Sequence, residues 1–252
     1  LIGRQYVSRI TLQRSAVPDF GAYPFALPAI RNFSSIDLHP KVTLLVGENG
    51  SGKSTLLEAV AVALGFNAEG GTKNFRFSTR ASHSALHQYL RIAQSIHKPR
   101  DGFFLRAESF FNVASEIEAL DKGPGGPPII NSYGGRSLHE MSHGESFLAL
   151  MMERFGGHGL YILDEPEAAL SPHRQLAMLS RMHDLVRRNS QFIVATHSPI
   201  LLAYPEARIY SCSAEGIQPI RYEDTEHYQV MHDFLVNPQR MLDVLLDRAG
   251  ED

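Results

Sequence analysis

The sequence predicts an α/β fold: a mixed central sheet flanked by helices, with a small antiparallel β part. Three observations carry this. Val42 to Val46, Leu160 to Leu163 and Gln191 to Ala195 are short runs that read as buried strands. Thr55 to Leu64 and Pro172 to Arg188 read as helices that alternate with them. Val42 to Leu57 reads V-T-L-L-V-G-E-N-G-S-G-K-S-T-L-L, which is a strand, then the spacing G-x-x-x-x-G-K-[ST], then a helix.

That last stretch is a phosphate cradle. Glycines at 47, 50 and 52 let successive backbone N–H groups turn inward, and the helix that starts near Lys53 adds its positive dipole end. Lys53 supplies a mobile charge for β- and γ-phosphates, and Ser54 is placed to hold Mg²⁺. Gly47, Asn49, Gly50, Ser51, Gly52, Lys53, Ser54 and Thr55 are the candidate nucleotide-binding residues here.

The chain has 252 residues, enough to bury a full core, and its length suggests one large α/β domain or two small ones. A hydrophobic fraction of 43% with 20% charged residues is ordinary for a soluble globular protein, and a net charge of −3 offers no global basic field for nucleic acid. The single cysteine, Cys212, excludes an intramolecular disulfide, and the 12 histidines show no zinc-site spacing. No apolar run is long enough for an integral membrane segment, and Leu1 to Thr11 does not read as a signal peptide, so a cytoplasmic setting is expected.

In chain order, Tyr6 to Leu12 and Ile36 to Leu38 read as strands, separated by turns around Pro18, Gly21, Pro24 and Pro28. Tyr6, Phe20, Tyr23, Phe25 and Phe33 are the aromatic residues in this stretch that could stack on adenine, Tyr23 and Phe25 foremost. Lys73, Arg76 and Arg80 could meet phosphate, although solvated loop charges are the commoner case. Ser82 to Ile96 reads as an amphipathic helix, Gly102 to Phe111 as a buried strand broken at Arg106 and Glu108, Asn112 to Leu120 as helix, and Gly123 to Pro128 as a surface loop.

Ser142 has the chemistry of an N-cap with Glu145 three residues on, ahead of an apolar helix from Ser146 to Phe155. Leu160 to Leu163 then delivers Asp164 and Glu165 at its C-terminal tip, the metal-and-base end of a phosphate-binding sheet. Gln191 to Ala195 ends in Thr196 and His197, at a tip beside the lysine and the carboxylates. Ala207 to Cys212 and Gly216 to Ile220 predict a closing hairpin, and His227 to Leu246 a pair of helices broken at Pro238.

The ordered set resembles the ABC-type ATPase superfamily from about residue 42 to 199, and the resemblance implies a P-loop NTPase fold of that type, a single domain over 1–252 with a compact helical arm and signature region inserted at about 66–150. Gly47 to Thr55 matches the phosphate loop, and Ser142-His143-Gly144-Glu145 matches the signature usually written S-G-G-Q, with Ser142 and Gly144 keeping its phosphate-contacting chemistry. The resemblance implies ATP and Mg²⁺ as ligands. It assigns Asp164 to support of Mg²⁺, Glu165 to the general base and His197 to the γ-phosphate contact. Glu108 stands where the family commonly has a glutamine that links Mg²⁺ to the arm, and is a candidate metal ligand by that match.

In this superfamily the signature reaches ATP on the other protomer, so a head-to-tail homodimer with two ATP molecules at its interface is implied. Glu167 and Ser171 depart from transporter subunits, and Asp164-Glu165-Pro166-Glu167 with Ala195 to Pro199 is more similar to stand-alone RecF-, OLD- and SMC-like ATPases consisting of the head alone. No long heptad insertion separates the phosphate loop from the signature, which excludes a coiled-coil SMC protein. DNA, in repair or defence, enters as a partner by that analogy alone. A nucleotide-gated switch with incidental turnover and the motor subunit of a membrane transporter are the rival readings.

Overall fold

Burial on both faces makes the central strands apolar from end to end, and the computed structural model shows where those faces go. It describes residues 5–73, 84–108, 110–121, 135, 139 and 141–246. The order is β1 (Val7–Leu12), α1 (Pro28–Arg31), β2 (Ser35–Asp37), β3 (Val42–Val46), α2 (Lys53–Ala63), β4 (Leu90–Gln94), β5 (Asp101–Arg106), α3 (Phe110–Asp121), α4 (His143–Ala149), β6 (Gly159–Asp164), α5 (Pro172–Arg187), β7 (Gln191–Ala195), α6 (Pro199–Leu202), β8 (Arg208–Ser213), β9 (Gly216–Ile220), α7 (Glu226–Val236) and α8 (Pro238–Leu245).

Six strands form the main sheet in the order β5-β6-β7-β3-β8-β9. The first five run parallel and β9 closes antiparallel on β8, as the hairpin reading expects. All five residues of β3 are buried, and they alternate between two cores. Leu45 packs with Leu56, Leu57 and Val60 of α2 and with Ile10 of β1. Leu44 and Val46 pack on the opposite face with Phe110 and Val113 of α3, Phe147 of α4 and Met178 of α5. The small antiparallel sheet, β2-β1-β4, covers the α2 side.

Register brings the chemistry to one edge. Leu45 pairs with Ala195, and Ala195 pairs with Asp164, so β3, β7 and β6 end in one row. The row is extended by the Thr196 N–H to the Leu45 carbonyl at 3.0 Å and the Glu165 N–H to the Ala195 carbonyl at 2.9 Å. The phosphate loop, His197 and Glu165 all follow directly from these tips, at the carboxyl ends of parallel strands.

Three expectations are corrected. Ser82 to Ile96 is not one helix: Ala85–Tyr89 makes a short 3₁₀ turn and β4 follows. The reason is pairing, since Leu90 and Ile92 lie opposite Leu12 and Ile10 of β1, which favours a two-residue period over the helical one. The strand expected to reach Phe111 stops at Arg106, and Phe110 instead opens α3, its ring 5.7 Å from that of Phe147. Finally, Tyr6, Phe25 and Phe33 are core residues, and Phe25 packs edge-on against Tyr89 at 5.0 Å, so none of the three offers a face to adenine. Phe20 is covered by the Arg14 guanidinium at 4.3 Å, while Tyr23 is 68% exposed.

The expected helix after Ser142 forms as α4 and runs into a π-helical turn at Leu150–Arg154. β4 and β5 both fall within 66–150. Arg76, Arg80 and Gly123 to Pro128 lie outside the described residues. Among the described residues no helix is long and apolar enough to cross a membrane.

Candidate active site

The phosphate loop is shaped by what lies beneath it. Gly47 has φ +153, and a Cβ there would run into the Cys212 carbonyl of β8, so this close backbone approach needs glycine. The loop then turns through φ +78 at Gly50 and +107 at Gly52, where α2 begins. Lys53 is buried and its ammonium donates to the carbonyls of Gly47 at 2.7 Å and Glu48 at 2.8 Å, so the loop wraps its own lysine. Burial pulls that ammonium below the usual lysine value, against the opposing pull of Glu165, Asp164 and Glu167. Leu27, Asn49, Gly50, Gly52, Lys53, Ser54, Thr55 and Glu165 line a cavity of about 100 Å³ over the loop. The Ser51 hydroxyl is buried in this loop without a hydrogen-bond partner.

From α2, the Ser54 hydroxyl donates to Asp164 Oδ1 at 3.0 Å across 110 positions of sequence. Asp164 is 4% exposed. Burial lifts its carboxyl to about 6, against the pull of Arg106 and the Ser54 hydroxyl. Among the described residues no three His, Cys, Asp or Glu side chains cluster as a metal cage. One hydroxyl beside one carboxylate is the donor set of a cation completed by water and substrate phosphates, as Mg²⁺ commonly is.

A carboxylate held protonated by burial is a cost to the folded state once it ionises. Because the native carboxyl titrates near 6 and a free aspartate near 3.8, the folded state binds more protons between these values, and stability falls as pH rises through that window. Asp164→Asn keeps an oxygen to accept from Ser54 and removes a penalty on the order of 3 kcal/mol. The nucleotide-free variant is therefore expected to melt roughly 6–12 °C above wild type at pH 7.5. Thermal denaturation should show the two curves converging near pH 4, separating between pH 4 and 6, and running a constant distance apart above pH 6.

Glu165 follows at φ +50, a left-handed position for a non-glycine residue. Its Oε1 lies 3.5 Å from His197 Nε2, a buried atom that makes no hydrogen bond of good geometry. The His197 N–H donates to Glu167 Oε1 at 2.5 Å. Burial and Lys53 hold the His197 imidazole below the ordinary histidine value, so the ring is neutral at pH 7.

Ser142 and Gly144 sit apart from this cavity. Glu145 accepts from the Ser142 N–H at 3.0 Å, the carboxylate half of a capping box, also accepts from the Ser142 hydroxyl at 2.7 Å, and is paired to Arg174 at 3.2 Å. Gly144 is buried where a Cβ would strike the Ala169 carbonyl and stand 2.7 Å from Arg174 Nη1. Gly144→Ala is expected to cost about 1–3 kcal/mol, because the obstacle is backbone, and to lower the melting temperature by roughly 2–12 °C in a calorimetric scan. Ser142 itself is exposed.

Comparison with known proteins gives one direction. A protein-family model of an AAA domain matches residues 19–113. A second AAA-domain model, whose description names the AbiEii toxin and Type IV TA systems, matches residues 129–203. The DNA replication and repair protein RecF of Colwellia psychrerythraea is 45% identical over 73 residues, 28% of this chain and 18% of that protein. Ribose import ATP-binding protein RbsA 1 of Rhizobium meliloti is 29% identical over 185 residues, 65% of this chain and 35% of that protein. Among solved structures, an ATP-binding cassette of an ABC transporter superposes with a TM-score of 0.53 at 19% identity, covering 92% of this chain and 98% of that one. The chain belongs to the ABC-type ATPase superfamily. It spans between 18% and 35% of the length of these two relatives.

In this member of the superfamily the structure brings Lys53, Ser54, Asp164, Glu165 and His197 to one edge of the sheet and leaves Lys73 and Glu108, like Ser142 and Gly144, out of the cavity over the phosphate loop. Lys73 lines a cleft with Asp101, Gly102 and Leu160, at the start of β5 and β6, which is the opposite end of the sheet from the phosphate loop. Glu108 has its side chain 79% exposed and faces Arg106 at 3.6 Å rather than the Ser54–Asp164 pair. Arg106 was singled out only as a polar break, yet its guanidinium holds Glu58 of α2 at 2.8 Å and reaches Asp164 Oδ2 at 3.7 Å. Its charge at the end of an otherwise apolar strand was the available signal. His227 was not singled out at all, and its Nε2 is 2.9 Å from His197 Nδ1.

Proposed function

We propose that this chain hydrolyses ATP in a Mg²⁺-dependent reaction, as a single-domain soluble head that closes head to tail on a second copy with two ATP molecules between them. The observation that carries the reading is the Ser54–Asp164 hydrogen bond, which joins the phosphate loop to the carboxylate strand beside Glu165 and His197. Ser54 and Asp164 would hold Mg²⁺, which, when bound, neutralises oxygens of the β- and γ-phosphates.

The chain's own groups supply the rest. The Lys53 ammonium, now on two loop carbonyls, turns to the phosphate oxygens, and the loop amides share the charge that grows on them. Glu165 orients a water and takes its proton as the water oxygen attacks the γ-phosphorus in line. The bond from that phosphorus to the bridging oxygen breaks, and ADP and phosphate leave. Neutral His197 donates from Nε2 to a γ-phosphate oxygen, and Ser142 of the partner subunit closes the site. Closure on ATP and reopening on hydrolysis would then transmit a signal or force to a partner.

The RecF match supports a role with DNA in replication or repair, the family model that names the AbiEii toxin supports one in defence, and a cytoplasmic setting belongs to the same proposal. A transporter-subunit reading draws on the RbsA 1 match. Steady-state ATPase with and without Mg²⁺ tests the proposal, repeated with single- and double-stranded DNA and with mass measured with and without ATP. Turnover that requires Mg²⁺ and rises with DNA supports it. Mg²⁺-independent turnover, or none, would overturn it.

A further inference from the structure

We infer that His227 is a positioning residue for the γ-phosphate contact: its Nε2–H donates to His197 Nδ1 and fixes His197 as the tautomer that carries its proton on Nε2. The inference rests on the proposed ATPase reading for its purpose, and on geometry for its content. The two ring nitrogens are 2.9 Å apart, a hydrogen bond in which one must donate and the other accept.

The other side of His197 decides the direction. Its Nε2 faces Glu165 Oε1 at 3.5 Å, and an ionised carboxylate, like a phosphate oxygen, only accepts. A proton on Nε2 points a donor at that carboxylate, or at a phosphate oxygen in its place, and leaves Nδ1 as a lone pair, which His227 Nε2–H then fills. The opposite arrangement would aim a lone pair at oxygens that carry lone pairs themselves. The backbone around the ring is already pinned, with the His197 N–H on Glu167 Oε1 and the Ser198 N–H on Thr196 Oγ1 at 3.0 Å. Ring orientation is the remaining freedom, and His227 removes it.

His227 is well placed for this. It lies in the first turn of α7, whose N-cap Thr225 is buried, accepts from the Tyr228 N–H and donates to the Tyr222 carbonyl at 2.7 Å. With Glu48, Asn49, His197, Val230 and Met231 it lines a cavity of about 400 Å³ that opens beside the phosphate loop. Lys53 and Glu165 face His197 from the loop and from the β6 tip, Glu167 holds its backbone, and Glu226 stands next to His227. Burial and Lys53 keep both rings neutral at pH 7, the state a tautomer-setting bond requires.

The test uses the whole ¹⁵N-labelled chain, with the His197 ring signals assigned through His197→Gln. Wild type is expected to show His197 protonated on Nε2. His227→Phe, which keeps a ring but loses its nitrogens, should give mixed His197 tautomers and a kcat lower by about 10–100-fold with the ATP KM within about threefold. His227→Gln, whose amide can donate, should restore the tautomer and most of the turnover. A His197 protonated on Nδ1 in wild type, or an unchanged tautomer in His227→Phe, would overturn the inference. If wild type shows no Lys53-dependent hydrolysis, the ATPase reading falls and the tautomer comparison alone still decides this one.

Discussion

Lys53→Ala is expected to abolish hydrolysis, with turnover at least about 100-fold below wild type, and to weaken ATP binding as well. The lysine does two jobs in the structure. In the nucleotide-free site its ammonium is held by the Gly47 and Glu48 carbonyls, which gives the loop its curvature around a positive centre. In the proposed complex the same charge would face the triphosphate from a buried position, where little solvent screens it. Alanine takes the ammonium from both carbonyls, leaving that of Glu48 with only the Ser51 N–H at 3.2 Å, and leaves the loop without the cation it wraps. Because Lys53 also lowers the proton affinity of His197, the variant should move that histidine back toward its ordinary value. Titration calorimetry with Mg-ATP and a phosphate-release assay check the two losses separately. Undiminished turnover in Lys53→Ala would place hydrolysis outside this site.

Glu165→Gln is expected to lose hydrolysis by about 10²–10⁴-fold while keeping ATP affinity. Glutamine matches glutamate in size and preserves the strand tip, where the backbone N–H bonds to the Ala195 carbonyl at 2.9 Å. What it lacks is the capacity to accept a proton from water. The amide can still turn its oxygen toward His197, so the surroundings at 3.5 Å need not rearrange. A site that binds but cannot turn over should accumulate the closed state, and light scattering with Mg-ATP should find twice the chain mass of 28.0 kDa. A nucleotide-gated switch with incidental turnover would instead behave as wild type in this assay. KM near the wild-type value with a collapsed kcat is the kinetic form of the same expectation.

The parts of this site legible in the sequence are those set by local chemistry. Val42 to Thr55 had to be strand, turn and helix because glycine spacing and the lysine leave few other uses for such a stretch, and the structure has β3 and α2 there. Asp164, Glu165 and His197 were legible because each ends an apolar run, and the ends of parallel strands meet. Long-range pairing hid the rest. Leu90 and Ile92 became a strand because β1 was available as a partner, a fact 80 positions away that no local period encodes. Arg106 and Glu58 are 48 positions apart and become an ion pair because β5 ends beside α2. His227 lies in a helix whose other side chains gave no sign of the site, and folding α7 back onto the tip of β7 makes it a neighbour of His197.

The most direct measurement of the central claim is a crystal structure of Glu165→Gln with Mg-ATP. The account predicts γ-phosphate oxygens against Lys53 and His197, the metal on Ser54 beside Asp164, and Ser142 of the partner subunit closing over the same phosphate. ATP bound away from Lys53, or a site complete in one copy with Ser142 of the partner subunit facing solvent, would contradict it.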